Sequence, residues 1–140
     1  MAGMSSAWQS VLAGLPILVV HLLLTTGLLL GGIALYVSLA PYRELELIRE
    51  GNVAGAIVLS GQTFGLVIPL GMMLATAVNI PDIILWGVIT VVLQFIAIAA
   101  VRLSIRHLPA LIKRGDIAPA LLLACAQVAA GILTASALAR

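Results

Sequence analysis

Three glutamines, Gln62, Gln94 and Gln127, lie inside otherwise apolar stretches, where a polar side chain has to find a use. An amide has two donors and two acceptor lone pairs. A cluster of amides can line a route for a solute or ion, or it can lock helices together. Locking is the favoured reading, because a route needs polar groups along its whole length. An amide bonding across a helix pair, by contrast, contributes about 0.6 to 2 kcal/mol by itself. His21 is the other candidate, an imidazole inside an apolar stretch with Thr25 one turn away for a hydrogen bond. It suits pH sensing or a proton relay. No acidic residue is embedded in an apolar stretch to take the proton onward, which favours a structural histidine.

The remaining reactive types point away from catalysis. Cys125 is the single cysteine and has no second thiol or histidine at metal-ligand spacing. It reads as a small packing residue. His107 falls in a loop. The sequence has no Ser-His-Asp order, glycine-rich phosphate loop or paired carboxylates, and its loops are too short to fold a catalytic domain. The expectation is a chain with no catalytic residue, no metal and no cofactor, and not an enzyme.

The elements that hold these residues follow from composition. Of 140 residues, 63% are hydrophobic and 9% charged, outside the range of a soluble domain. The charges cluster, leaving four neutral stretches of bilayer-spanning length: Leu12 to Ala40, Val53 to Val78, Ile83 to Val101 and Ile117 to Leu138. The first is too long for a signal core and has nothing basic before it. The expected fold is an all-α integral membrane bundle of four transmembrane helices in contact with the lipid bilayer. The formal charge of +2 comes with no basic patch interleaved with aromatics, so nucleic-acid binding is not expected.

Orientation follows from the basic residues. Arg43 and Arg49 lie in one loop, and Arg102, Arg106, Lys113 and Arg114 in another; only Arg140 stands on the opposite side. The positive-inside rule puts both loops in the cytoplasm and both termini in the periplasm of a bacterium. Trp8 and Trp86 then fall near the outer interface, Tyr36 and Tyr42 near the inner one. Asn79-Ile80-Pro81-Asp82 reads as a tight turn, with Pro81 ending the second helix and Asp82 capping the third. The mixed charges Arg43, Glu44, Glu46, Arg49 and Glu50 read as a solvated short helix, or as a small face for a cytosolic partner.

An internal repeat refines the architecture. Offset by 64 residues, Leu47-Ile48-Arg49-Glu50-Gly51-Asn52-Val53-Ala54-Gly55-Ala56 aligns with Leu111-Ile112-Lys113-Arg114-Gly115-Asp116-Ile117-Ala118-Pro119-Ala120, with five identities and three conservative matches. Two spans per copy preserve orientation, so the expectation is two tandem, parallel-repeat helical hairpins, about 12–78 and about 79–140. In lipid, helices associate through small residues and interhelical hydrogen bonds. Gly51 with Gly55, and Gly61 with Gly65, are expected to pack helix two on the alanines and Gly131 of helix four. Pro69 is expected to kink helix two, its freed carbonyl met by a neighbour, a water or Thr76. Asp82, Trp86, Thr90 and Gln94 recur every four residues and should face protein. The three glutamines lie roughly 12 to 17 Å from the cytoplasmic helix ends at 1.5 Å per residue, and could share one layer.

The segments Gly51-Asn52-Val53-Ala54-Gly55-Ala56, Ser60-Gly61, Gly65, Val67-Ile68-Pro69-Leu70, Ile80-Pro81-Asp82, Trp86-Gly87, Gln94 and Val101-Arg102-Leu103 resemble the YjfL-like bacterial inner-membrane family, domain of unknown function 350. Gly55 and Pro119 stand where that family more usually has alanine. The resemblance implies a duplicated two-span unit in the cytoplasmic membrane. It also implies a family often encoded beside phage-shock-protein-A-like membrane stress proteins. Two functions are therefore expected to compete: a non-enzymatic anchor or scaffold for such a cytosolic partner, and a small channel or transporter whose path forms in a homo-oligomer.

Overall fold

A backbone surrounded by lipid must satisfy its own hydrogen bonds, so long apolar stretches become helices. The computed structural model describes residues 2–139. Its elements are α1 (Ala2–Leu39), α2 (Glu44–Arg49), α3 (Val53–Thr76), α4 (Ile80–Ser104), α5 (Leu108–Lys113) and α6 (Ile117–Leu138). Among the described residues, α1, α3, α4 and α6 are long and apolar enough to cross a membrane. The two charged loops are folded into elbows by α2 and α5. Helix α4 starts at Ile80, earlier than Ile83, because the cap is Asn79 and not Asp82. The Asn79 side chain accepts the Asp82 N–H at 3.0 Å, and Pro81 sits in the first turn, where a missing N–H is harmless.

The two elbows end in the same way. Gly51 has φ +83° and Gly115 φ +84°. Gly51 N–H donates to Ile48 O and Asn52 N–H to Leu47 O, while Gly115 N–H donates to Ile112 O and Asp116 N–H to Leu111 O, all between 2.8 and 3.0 Å. This is the paired bonding of a Schellman termination, which needs a left-handed residue. An L side chain there costs roughly 1–2 kcal/mol. Gly51 therefore serves the turn. The expected Gly51–Gly55 packing pair does not form: nothing lies within 4 Å of where a Gly51 Cβ would stand.

The α3–α6 pair forms the most extensive helix contact, and α4 packs on both of its members. Gly61 faces Ala124, and Gly65 faces Gln127 and Gly131, so α3 and α6 run in the same direction. Helices α1 and α4 also run together: Leu28 lies on Gly87, Gly32 beside Val91, and the Tyr36 ring beside Phe95. Each pairing has the same offset, which sets His21 level with the first residue of α4. His21 therefore sits at the end of the packed bundle away from the elbows. Residues 3–20 of α1 are all exposed, and Trp8 lies on this projecting part. At 1.5 Å per residue the 38 residues of α1 reach about 57 Å, well beyond a hydrocarbon core of about 30 Å.

Candidate functional site

The glutamines meet between three helices. Gln62 (α3), Gln94 (α4) and Gln127 (α6) are all buried. The Gln127 Nε2 donates to Gln62 Oε1 at 3.1 Å, and the Gln94 Nε2 donates to the Gln127 backbone carbonyl at 2.9 Å. Gln62 Nε2 and Gln127 Oε1 have no hydrogen-bond partner. Thr90 and Gln94 are buried and Asp82 and Trp86 half-buried, so the α4 stripe does turn toward protein.

Glycines make this layer possible. A Cβ on Gly61 would stand 2.5 Å from Ala124 Cα and 2.8 Å from Gln127 Oε1. One on Gly65 would overlap Gln94 Nε2 and approach Gln127 O to 2.7 Å. The Gln94 amide thus reaches α6 across a notch in α3. Gly55 differs: its Cβ position lies 3.5 Å from Leu47 Cβ, an ordinary contact, and it packs the start of α3 on α2 rather than on α6.

Pro69 is buried inside an α3 that continues to Thr76. Proline has no N–H for the carbonyl four residues back, which here is Gly65 O. A Cβ on Gly131 would collide with that oxygen. The absence of a side chain at Gly131 is what lets α6 approach this carbonyl. Thr76 is not the rescuer: its hydroxyl donates to Met72 O at 3.0 Å. The Thr25 hydroxyl donates to the His21 backbone carbonyl at 2.8 Å, not to the imidazole. Cys125 is exposed, lining an apolar groove of about 570 Å³ between α3 and α6 with Ile57, Phe64 and Val128, and so is not a core packing residue.

The elbows carry the charge. Arg43, Arg49, Arg106, Lys113 and Arg114 are exposed and Arg102 is half-buried. Arg43 pairs with Glu46, and Arg114 Nε lies 3.8 Å from Asp116 Oδ2; exposed pairs of this kind contribute little. The elbows are joined by Asn52, whose Nδ2 donates to Ile112 O at 3.0 Å and Lys113 O at 3.2 Å while its Oδ1 caps α3 at Gly55 N–H.

Glu44 is not part of the solvated face expected of α2. It is fully buried, and its Oε1 accepts the Tyr36 hydroxyl at 2.7 Å. Tyr36 and Tyr42 are buried with it and are not interfacial belt residues. Burial pushes the Glu44 carboxyl above the usual carboxylate range, against the opposing pull of the Tyr36 hydrogen bond, the neighbouring Tyr42 hydroxyl and the Arg102 guanidinium. Burial likewise raises Tyr42, with Glu44 adding to the shift. Pattern reading missed Glu44 because its neighbours Arg43 and Glu46 are exposed. One signal lay in the 64-residue sequence offset, which sets the apolar Leu108 opposite Glu44.

Helices of bilayer length whose polar side chains bond one another define an integral membrane bundle. Residues 10–138 match the Domain of Unknown Function (DUF350) family, and the chain belongs to it. It is similar to the UPF0719 inner membrane protein YjfL of Escherichia coli strain K12, 35% identical over 102 residues that cover 73% of this chain and 77% of the relative. The protein of the same name from Escherichia coli O157:H7 matches to the same extent. No solved structure matches the chain.

Proposed function

We propose that this chain is a non-enzymatic scaffold of the bacterial inner membrane, built as two tandem hairpins, whose two elbows form one cytoplasmic docking face for a membrane-maintenance protein of the phage-shock-protein-A-like kind. The observation that carries this reading is the Asn52 bridge, which makes a single face of two loops 60 residues apart. Arg49, Lys113 and Arg114 are exposed on that face. The closely similar φ angles of Gly51 and Gly115, and the starts of α3 and α6 one 64-residue offset apart, support the duplication. The inner-membrane name of the relative and the bias of basic residues toward the elbows support the location, with both termini periplasmic. Crosslinking in native membranes should recover a cytosolic partner, and reversing Arg49, Lys113 and Arg114 to glutamate should release it. Full retention of the partner by the triple variant would sink the scaffold.

A second reading, a small channel or transporter formed by a homo-oligomer, is favoured by one observation: the layer keeps two polar atoms, Gln62 Nε2 and Gln127 Oε1, without partners. Solute flux in proteoliposomes that disappears in the combined Gln62→Leu, Gln94→Leu and Gln127→Leu variant would support it. Undiminished flux would exclude the glutamines from any path.

A further inference from the structure

The corner where α2 lies on α3 and meets Tyr36 of α1 buries a carboxyl where its counterpart in the second elbow buries a leucine. Glu44 and Leu108 open α2 and α5 one repeat offset apart, and both are essentially inaccessible, at 0% and 1% exposure. The position is therefore apolar by design of the fold, and the acid is the exception. Buried ionised carboxylates need pairing or several donors, and an unpaired one costs far more than a neutral acid. Glu44 has one donor, the Tyr36 hydroxyl, at Oε1. Its Oε2 is buried without a partner, as is the Tyr42 hydroxyl.

Few charged or titratable groups face this carboxyl. Helix α1 contributes Tyr36, the α1–α2 turn contributes Tyr42 and α4 contributes Arg102. Arg102 forms no ion pair with Glu44, although it lines, with Tyr36, Leu39 and Phe95, a cavity of about 360 Å³ beside the corner. The rest of the surrounding core from α3, α5 and α6 is apolar, including Val58, Ile112 and Leu123. On α2 itself, Glu46 and Arg49 point outward. Among the described residues, Glu44 is the one buried carboxyl.

We propose that Glu44, with Tyr36 and Tyr42, is a proton-binding site: the neutral acid keeps α2 docked in the corner, and release of the proton as pH rises loosens it. The linkage has a definite sign. A carboxyl whose folded pKa lies above its unfolded one leaves stability intact while it is protonated in both states, and the stability is lost as pH rises through the folded pKa. The burial that raises Glu44 is of this kind. Ionised Glu44 has only the half-buried Arg102 as a counter-charge. The site is independent of any partner or conducted solute.

Infrared titration of the full chain in phosphatidylcholine vesicles reads the proton directly. At neutral pH the wild type should show a protonated-carboxyl C=O band that disappears at higher pH and is wholly absent from Glu44→Gln. Tyr36→Phe, by removing a donor that favours the charged form, should move the disappearance to higher pH. Glu44→Leu, which copies Leu108, keeps the corner packed and tests docking. With Cys125→Ala and a nitroxide on Leu45→Cys, mobility of α2 should rise with pH when Glu44 is present and stay flat in Glu44→Leu. A neutral-pH spectrum without the band, or equal mobility changes with and without Glu44, would overturn the proposal.

Discussion

Gln127 serves two partners through different groups, and this makes the layer dissectable at single residues. Its side chain binds Gln62 and its backbone carbonyl binds Gln94. Gln62→Leu and Gln127→Leu each break the same bond and strand an amide, so each should cost about 1 kcal/mol, and the double variant less than their sum. Gln94 donates to backbone, so the cost of Gln94→Leu should add to that of Gln62→Leu or Gln127→Leu. Unfolding equilibria in micelles would measure the cycle, and equal coupling for all three pairs would contradict the geometry. The glycines make a sharper contrast. Gly61→Ala forces a methyl onto Ala124 and should cost about 1–3 kcal/mol. Gly55→Ala meets only an ordinary contact and should gain about 0.5–1 kcal/mol. Sequence pattern marked Gly61 and Gly65 for close approach because spacing alone puts small residues on one face. It also marked Gly51, wrongly, because the same spacing arises when a glycine ends one helix just before another begins.

At the scale of elements, helix existence was legible from charge-free length, as were both ends of α6 and the start of α3, whereas the starts of α1 and α4 were not. The ends depend on caps that hydropathy does not weigh: Asn79 starts α4 before the apolar run proper, and the Schellman turns at Gly51 and Gly115 allow α2 and α5 to form within charged loops. Glu44 shows the same limit, since a six-residue helix can bury one acid while exposing its neighbours. The elbows also diverge in a testable way. Asn52 donates to the α5 end as well as capping α3, whereas Asp116 makes no side-chain cap. Asn52→Asp keeps the acceptor for Gly55 N–H but removes the donors to Ile112 O and Lys113 O. It should destabilise the bundle by about 0.5–1.5 kcal/mol. Asp116→Asn should be close to neutral. Thermal unfolding of the two variants in the same detergent would compare them, and an equal loss in both would mean that the bridge contributes nothing.

For the whole molecule, the bundle fixes relative directions and leaves the side of the membrane to the charges. Helices α1 and α4 run one way and α3 and α6 the other, so α1 begins and α6 ends opposite the elbows. Six of seven lysine and arginine side chains lie at the elbow end, and such residues near helix ends are retained in the cytoplasm. Alkaline phosphatase fused after Arg140 should therefore be active and green fluorescent protein fused there dark, with the reverse for fusions placed after Gly115. A fluorescent carboxy-terminal fusion would invert the topology and put Arg49, Lys113 and Arg114 out of reach of any cytosolic partner. The same geometry predicts what the projecting part of α1 contributes. Residues 3–20 touch none of the other helices closely enough to become buried, and the core begins on α1 at Thr25. Deleting residues 2–10 should leave the unfolding free energy of the purified protein unchanged within about 0.5 kcal/mol, the range of surface changes. A larger loss would mean that α1 is held at its amino-terminal half by contacts the single chain does not make, which is what assembly of several copies through α1 would produce.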